Sequence, residues 1–278
     1  MSRISRSWRL IQASASVLRQ DKELLLFPVL STITTIIVIA SLLIPAIATG
    51  YFDRAENERI QWLPVFLVYL VQYFIIFFFN TALVSAAMIR LEGGDPTVKD
   101  GLRIAWSKAG SILGYAGIAA TVGLILRVIE ERAGFVGRWI AALLGAGFTI
   151  ATALTVPVLV SRDVGPVDAV KESAQLLRQT WGENIVGNGG MGFVFAFAYL
   201  GIVVLTVFTI VALSLPQSPM LLWIVIATGA IAILALALIH AALQGIYSAA
   251  LYRYATGQSS GANFSDDTLN AAFRPKRG

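Results

Sequence analysis

Six stretches of this chain are apolar over about 20 residues or more, the length a helix needs to cross the ~30 Å hydrocarbon core of a bilayer. They run approximately 24–50, 62–89, 110–129, 139–160, 185–213 and 220–251. In hydrocarbon such a segment satisfies its own backbone polar groups only as a helix. The predicted fold class is therefore all-α, a polytopic transmembrane helical bundle of six spans. Composition agrees, since 57% of the 278 residues are hydrophobic and only 13% are charged, about half the charged share of soluble domains. The third stretch is the weakest because Arg127 sits near its end. The first is too long for the roughly 7–15-residue core of a cleaved signal, so it is expected to stay as a span. The transmembrane domain is expected to fill 1–254. A polar tail, 255–278, follows, with at most a short helix over Ser265 to Phe273.

Orientation follows from Lys and Arg, which are retained on the cytoplasmic side of spans. Sixteen fall before the first span, in the second-to-third and fourth-to-fifth loops and after the sixth span, from Arg253 on; five fall in the alternate segments. The expectation is a multi-pass protein of the cell membrane with both termini cytoplasmic. The net charge of +5 points to an anionic lipid surface and not to nucleic acid, because the basic residues are spread through short loops with no dense block.

Absences narrow the chemistry. With no cysteine and one histidine, His240, thiolate sites, disulfides and histidine-cluster metal sites are excluded. No catalytic set of nucleophile, base and orienting group is recognisable. No catalytic residue, metal or cofactor is expected. Gly187-Asn188-Gly189-Gly190-Met191-Gly192 satisfies a dinucleotide-loop spacing, but it opens a membrane span and lacks the preceding strand and following carboxylate that such a loop needs.

Each cytoplasmic segment ahead of a span pair carries an amphipathic helix. Ile4, Trp8, Leu10, Ile11, Ala15, Val17 and Leu18 share a side before the first span, and Val98, Leu102, Ala105 and Ala109 share one flanked by Trp106. Val170, Ala174, Leu177 and Trp181 share the third. Lys99-Asp100 and Lys171-Glu172 match in register, so the chain reads as a triplicated unit of amphipathic helix plus hairpin. The plainer reading is that 4-and-3 spacing belongs to any amphipathic helix. On either reading Trp8, Trp106 and Trp181 are the expected interfacial anchors.

Polar residues within spans are few. His240 and Gln244 lie one turn apart, with Tyr247 and Ser248 beyond, and Gln72 and Asn80 sit in the second span. The stripe would line a polar cavity or, more simply, hydrogen-bond across to a neighbouring helix. Small residues four apart, such as Ala119 and Gly123 or Ala141 and Gly145, favour close helix crossings.

Ser7-Trp8-Arg9-Leu10-Ile11, Asp21-Lys22-Glu23-Leu24-Leu25-Leu26-Phe27-Pro28 and Leu251-Tyr252-Arg253-Tyr254-Ala255, with the tail Ala271 to Lys276, resemble an uncharacterised family of prokaryotic six-span integral membrane proteins. The helix-then-hairpin units are distantly similar to the membrane domain attached to some glycerophosphodiester phosphodiesterases, without the phosphodiesterase domain. The resemblance implies fold and membrane location and supplies no functional residue. The expected function is non-enzymatic, binding membrane lipids or scaffolding membrane-protein partners or a second copy of the chain. The alternative is a transporter or channel for a small or amphiphilic solute.

Overall fold

The computed structural model describes residues 3–48, 62–181, 190–212 and 218–258, with the side chains of 3–10, 62, 179–181, 190 and 193 outside that description. Every regular element among these residues is helical: α1 (Arg3–Gln20), a short 3-10 turn (Lys22–Leu25), α2 (Leu26–Ala48), α3 (Trp62–Leu91), α4 (Val98–Ser107), α5 (Ala109–Ala151), α6 (Thr155–Ser161), α7 (Pro166–Trp181), α8 (Gly190–Ala212) and α9 (Pro219–Ala255). The expected tail helix at Ser265 to Phe273 and the glycines at 187 and 189 lie outside the described residues.

Five segments are long and apolar enough to cross a membrane: Lys22–Ala48, Leu63–Leu91, Ala109–Ser161, Val194–Ala212 and Pro219–Ala255. The expected third and fourth spans fall together in the third of these. That segment doubles back at Gly134, whose φ of 55° and ψ of −133° interrupt α5 in a conformation open to glycine and closed to residues with a Cβ. Leu126 Cδ1 lies 3.4 Å from where a Cβ on Gly145 would sit, although a straight helix would separate the two residues by about 28 Å. Lys108 likewise reaches Asp163 at 3.1 Å. The loop expected between the two spans, around the charged run at Glu130, Glu131 and Arg132, is thus helix up to a single turning residue.

The second arm breaks near its end. Pro157 has no N–H to donate to Ala153, and its ring clashes with that carbonyl in a continuous helix, so α5 stops at Ala151 and α6 restarts at Thr155. Ser173 of α7 repairs the break: its Oγ donates to Ala151 O at 2.8 Å and accepts from Leu154 N at 3.0 Å.

α3 is the hub, packed against α2, α4, α5, α6 and α9, while α8 packs on α9 and α1. The three short helices α1, α4 and α7 gather at one end of the bundle, called the collar end below: Arg90 at the end of α3 donates to Gln20 O at the end of α1, and Glu23 accepts from Val98 N at the start of α4. Burial concentrates there. Residues 81–88 of α3 are all buried, as are most of 242–253 in α9. Phe27, Leu24, Val84, Ile112, Leu154, Leu159 and Ile246 are the largest side chains of this core. Away from it the same helices expose Ile36, Ile44, Leu63, Trp223 and Ile231.

Candidate functional site

The three short helices dock through small residues. In α4, Gly101 and Ala105 are buried; a Cβ on Gly101 would come within 2.6 Å of both Ala82 O and Phe27 Cζ. Among the described side chains, the deepest in α7 are Ala169, Ser173 and Leu177, and in α1 Ile11, Ala13, Ser14 and Val17. Of the expected faces, Ile11, Val17, Ala105 and Leu177 are buried, while Val98, Leu102, Val170 and Ala174 are half-buried because Gly101, Ala169 and Ser173, one position away, take the closest contacts. Close approach between helices rewards small side chains, which a hydrophobic pattern underweights. The opposite faces, with Lys99, Arg103, Lys171 and Arg178, are exposed. Trp106 is 72% exposed and meets Phe78 edge-on at 5.9 Å. Trp8 and Trp181 belong to α1 and α7, with side chains outside the described residues.

Ion pairs then tie the loops of this end together. Arg90 holds Asp95 at 3.1 Å and Gly94 O at 3.2 Å. Lys108 holds Asp163 and Arg162 O, Arg162 pairs with Glu172 at 2.9 Å, and the buried Arg253 at the end of α9 pairs with Glu92 after α3. α4 opens on a capping box, Thr97 with Asp100, in which the Thr97 hydroxyl and backbone N–H hold the Asp100 carboxyl below the usual carboxylate range. Asp21 is the exception. It is buried, one oxygen accepts from Glu23 N at 3.2 Å and the other has no partner. Burial raises its pKa against the opposing effects of the Glu23 N–H and Arg90.

A cleft of about 310 Å³ lies between α2, α3, α9 and the α5–α6 break. Ser31, Asn80, Gln244 and Ser248 supply its polar groups and Pro28, Ile76, Phe79 and Leu83 its apolar walls. Ile76, Ala241 and Gln244 are exposed, so the cleft is open at the side of the bundle. At Gly245 the helices nearly touch: a Cβ there would lie 2.4 Å from Leu83 Cδ2 and 3.4 Å from Asn80 Oδ1.

The structure divides the polar residues singled out in the sequence. Gln244 and Asn80 come together in the cleft. His240, one turn before Gln244, instead stacks flat on Phe195 at 4.1 Å, with Tyr199 Oη 3.5 Å from its Nδ1, at the junction where Ile11, Phe195 and Leu243 join α1, α8 and α9. Gln72 is half-buried and does not line the cleft. Ser31 and Ser173 are the residues that sequence reasoning missed. The available signal for Ser173 was a hydroxyl set between Ala169 and Leu177 at four-residue spacing.

Neither a curated protein nor a solved structure matches the chain. A family model described as a family of unknown function, DUF6159, matches residues 59–262, which takes in every element from α3 to α9 and so the greater part of the collar and cleft. The chain belongs to this family.

Proposed function

We propose that this chain is a non-enzymatic, multi-pass protein of the cell membrane that holds membrane lipid. In this reading it crosses six times, the α5 hairpin counting twice, with both termini and the collar on the cytoplasmic side. The observation that carries the reading is the burial pattern. The bundle is closed by packed side chains and ion pairs at the collar end, and elsewhere it presents apolar side chains and a cleft open sideways. A protein that moves a polar solute needs a path along its axis and charged or coordinating groups within its spans. Here residues 81–88 and most of 242–253 are buried where such a path would run, which speaks for binding over the transporter or channel reading. Trp8, Trp106 and Trp181 serve as anchors in the headgroup layer, each ring in the interface with its N–H hydrated.

The test is native mass spectrometry of the purified protein alongside solute flux in reconstituted vesicles. Retained lipid, with flux no greater than in empty vesicles, is the expected result. Replacing the three tryptophans by Ala is expected to lower lipid retention while the spans stay inserted. Solute flux above background would overturn the reading in favour of transport. The natural absence of cysteine makes topology directly readable: single cysteines at Asn57 and Gly94 should label with an impermeant maleimide from the outside and the inside respectively, and labelling from one side would break the six-span arrangement.

A further inference from the structure

Four uncharged polar side chains from three helices converge on the cleft between α2, α3 and α9: Ser31, Asn80, Gln244 and Ser248. None of the four makes a hydrogen bond to another described residue. Two carboxamides and two hydroxyls offer both donors and acceptors, and groups left unmatched in an apolar medium are costly. Water can answer such groups where it reaches them. In hydrocarbon they must be answered by something that enters from the bilayer.

We propose that this cleft binds the glycerol and ester region of a diacylglycerol from the surrounding leaflet, with Asn80 and Gln244 as its recognition residues. The inference rests on the lipid-binding reading above. Charge decides the class of ligand. No ionisable side chain lines the cleft, so a phosphate or ammonium there would be desolvated without a counter-charge, which is costly. Depth decides which part of the lipid is held. Asn80 precedes Arg90 by about 15 Å of helix, Gln244 precedes Arg253 by about 13 Å and Ser248 by about 8 Å. Taking that ionic layer as the headgroup level, the polar groups lie deeper than phosphate, where ester carbonyls and a free glycerol hydroxyl reside. The volume, about 310 Å³, is at the lower end for small-ligand sites. It suits a glycerol diester with its first methylenes against Ile76, Phe79 and Leu83, the chains running out into the bilayer through the open side. Gly245 shapes the floor, since any side chain there would collide with Leu83 and crowd the Asn80 carboxamide.

The experiment uses the full chain in nanodiscs with two probes carrying the same photoactivatable acyl chain, a diacylglycerol and an anionic phosphatidylglycerol. The diacylglycerol is expected to crosslink saturably to residues around the cleft, and unlabelled diacylglycerol should compete better than phosphatidylglycerol. The near-isosteric pair Asn80→Leu with Gln244→Met should weaken diacylglycerol binding about tenfold or more, the equivalent of one or two lost hydrogen bonds. Gln72→Met, outside the cleft, should leave binding unchanged. Ala241→Phe fills the mouth from an exposed position without touching the polar groups and should also block crosslinking, so the proposal stays testable if the double variant fails to fold. Wild-type binding in both the double variant and Ala241→Phe would overturn it. Equal competition by phosphatidylglycerol would overturn the neutral selectivity. Copurifying phospholipid without saturable diacylglycerol crosslinking would overturn this site and leave the broader lipid-binding reading standing; loss of all retained lipid would overturn both.

Discussion

The two halves of α3 and α9 solve different problems with different residues. Near the collar, residues 81–88 and most of 242–253 are buried, and contact runs through Ala82, Ala86, Ala87, Ala242, Ala249 and Ala250. Toward the other end, Leu63, Leu67, Trp223, Ile224 and Ile231 are exposed. The buried stretches are the less apolar ones, with Thr81, Ser85, Gln244, Ser248 and Arg253 among them. In a bilayer, lipid tails are as apolar as leucine, so burying a leucine gains little, and helices associate where small residues allow backbones close and polar groups can pair. Exposed large apolar side chains such as Leu63, Trp223 and Ile231 thus mark surface left to lipid, while Gly101, Ser173 and Gly245 mark where the helices come closest.

The contrast is broken or sharpened by paired substitutions read as thermal unfolding midpoints in detergent. The largest effect is expected at Gly101→Val, where the added carbons meet the Ala82 carbonyl; overpacking of this kind costs about 3 kcal/mol. Gly201, with nothing within 4 Å of a Cβ, is its partner, and Gly201→Val should be near neutral. Equal losses at the two glycines would break the comparison. Ser173→Ala comes next, at about 2 kcal/mol, because it leaves the buried Leu154 N–H without an acceptor. Thr209→Val, which removes only a bond to Leu205 O within one helix, should cost much less. A loss at Ser173→Ala no greater than the small one at Thr209→Val would show that the α5–α6 break needs no repair.

Third is Glu92→Gln, which removes one charged partner of the buried Arg253 and should cost about 1 kcal/mol. Glu131→Gln, which weakens the exposed pair with Arg127, should cost a few tenths. The smallest effect is a pH dependence at Asp21. Its carboxyl is raised from 3.8 in the folded protein, so the folded state binds that proton more tightly than the unfolded chain. Stability contributed below the unfolded value is then lost as pH rises through the folded one. Asp21→Asn keeps an acceptor for the Glu23 N–H and removes the titration, so its advantage over the native protein should widen as pH rises from about 4 toward neutrality. Asp100, held low by Thr97, has the opposite sign. Its contribution is present above the unfolded value and lost as pH falls, so Asp100→Asn should hurt at neutral pH and less in acid. An advantage of Asp21→Asn that shrank with rising pH would show that its free oxygen has a partner in solution.

The long elements were legible because a run of apolar residues has few alternatives to a helix in a bilayer. α2, α3 and α9 begin and end within a few residues of the expected spans. The α5 hairpin was legible in its arms and not in its turn. Glu130, Glu131, Arg132 and Arg138 read as a loop, yet charged residues continue a helix readily and one glycine with positive φ suffices to reverse it. The candidate site was legible in part. Asn80 and Gln244 stand out as polar residues in apolar spans, but spacing groups Gln244 with His240, and the structure sends them to different neighbours.

What the sequence alone determined is the class of the molecule: an all-helical chain with helices of membrane-crossing length, and no cysteine. Each of these depends on composition and on spacing within a single helix, where residue i and residue i+4 share a face whatever surrounds them. Which small residues touch, where Ser173 closes a broken helix, and which four polar groups meet in one cleft depend on the neighbours of each helix at each level. A 37-residue helix such as α9 passes α8, α1, α2 and α3 in turn, so two residues on one of its faces acquire different partners. Only the tertiary structure decides that, because in a bilayer the helices find one another through shape and hydrogen bonds and not through the hydrophobic pattern that made them helices.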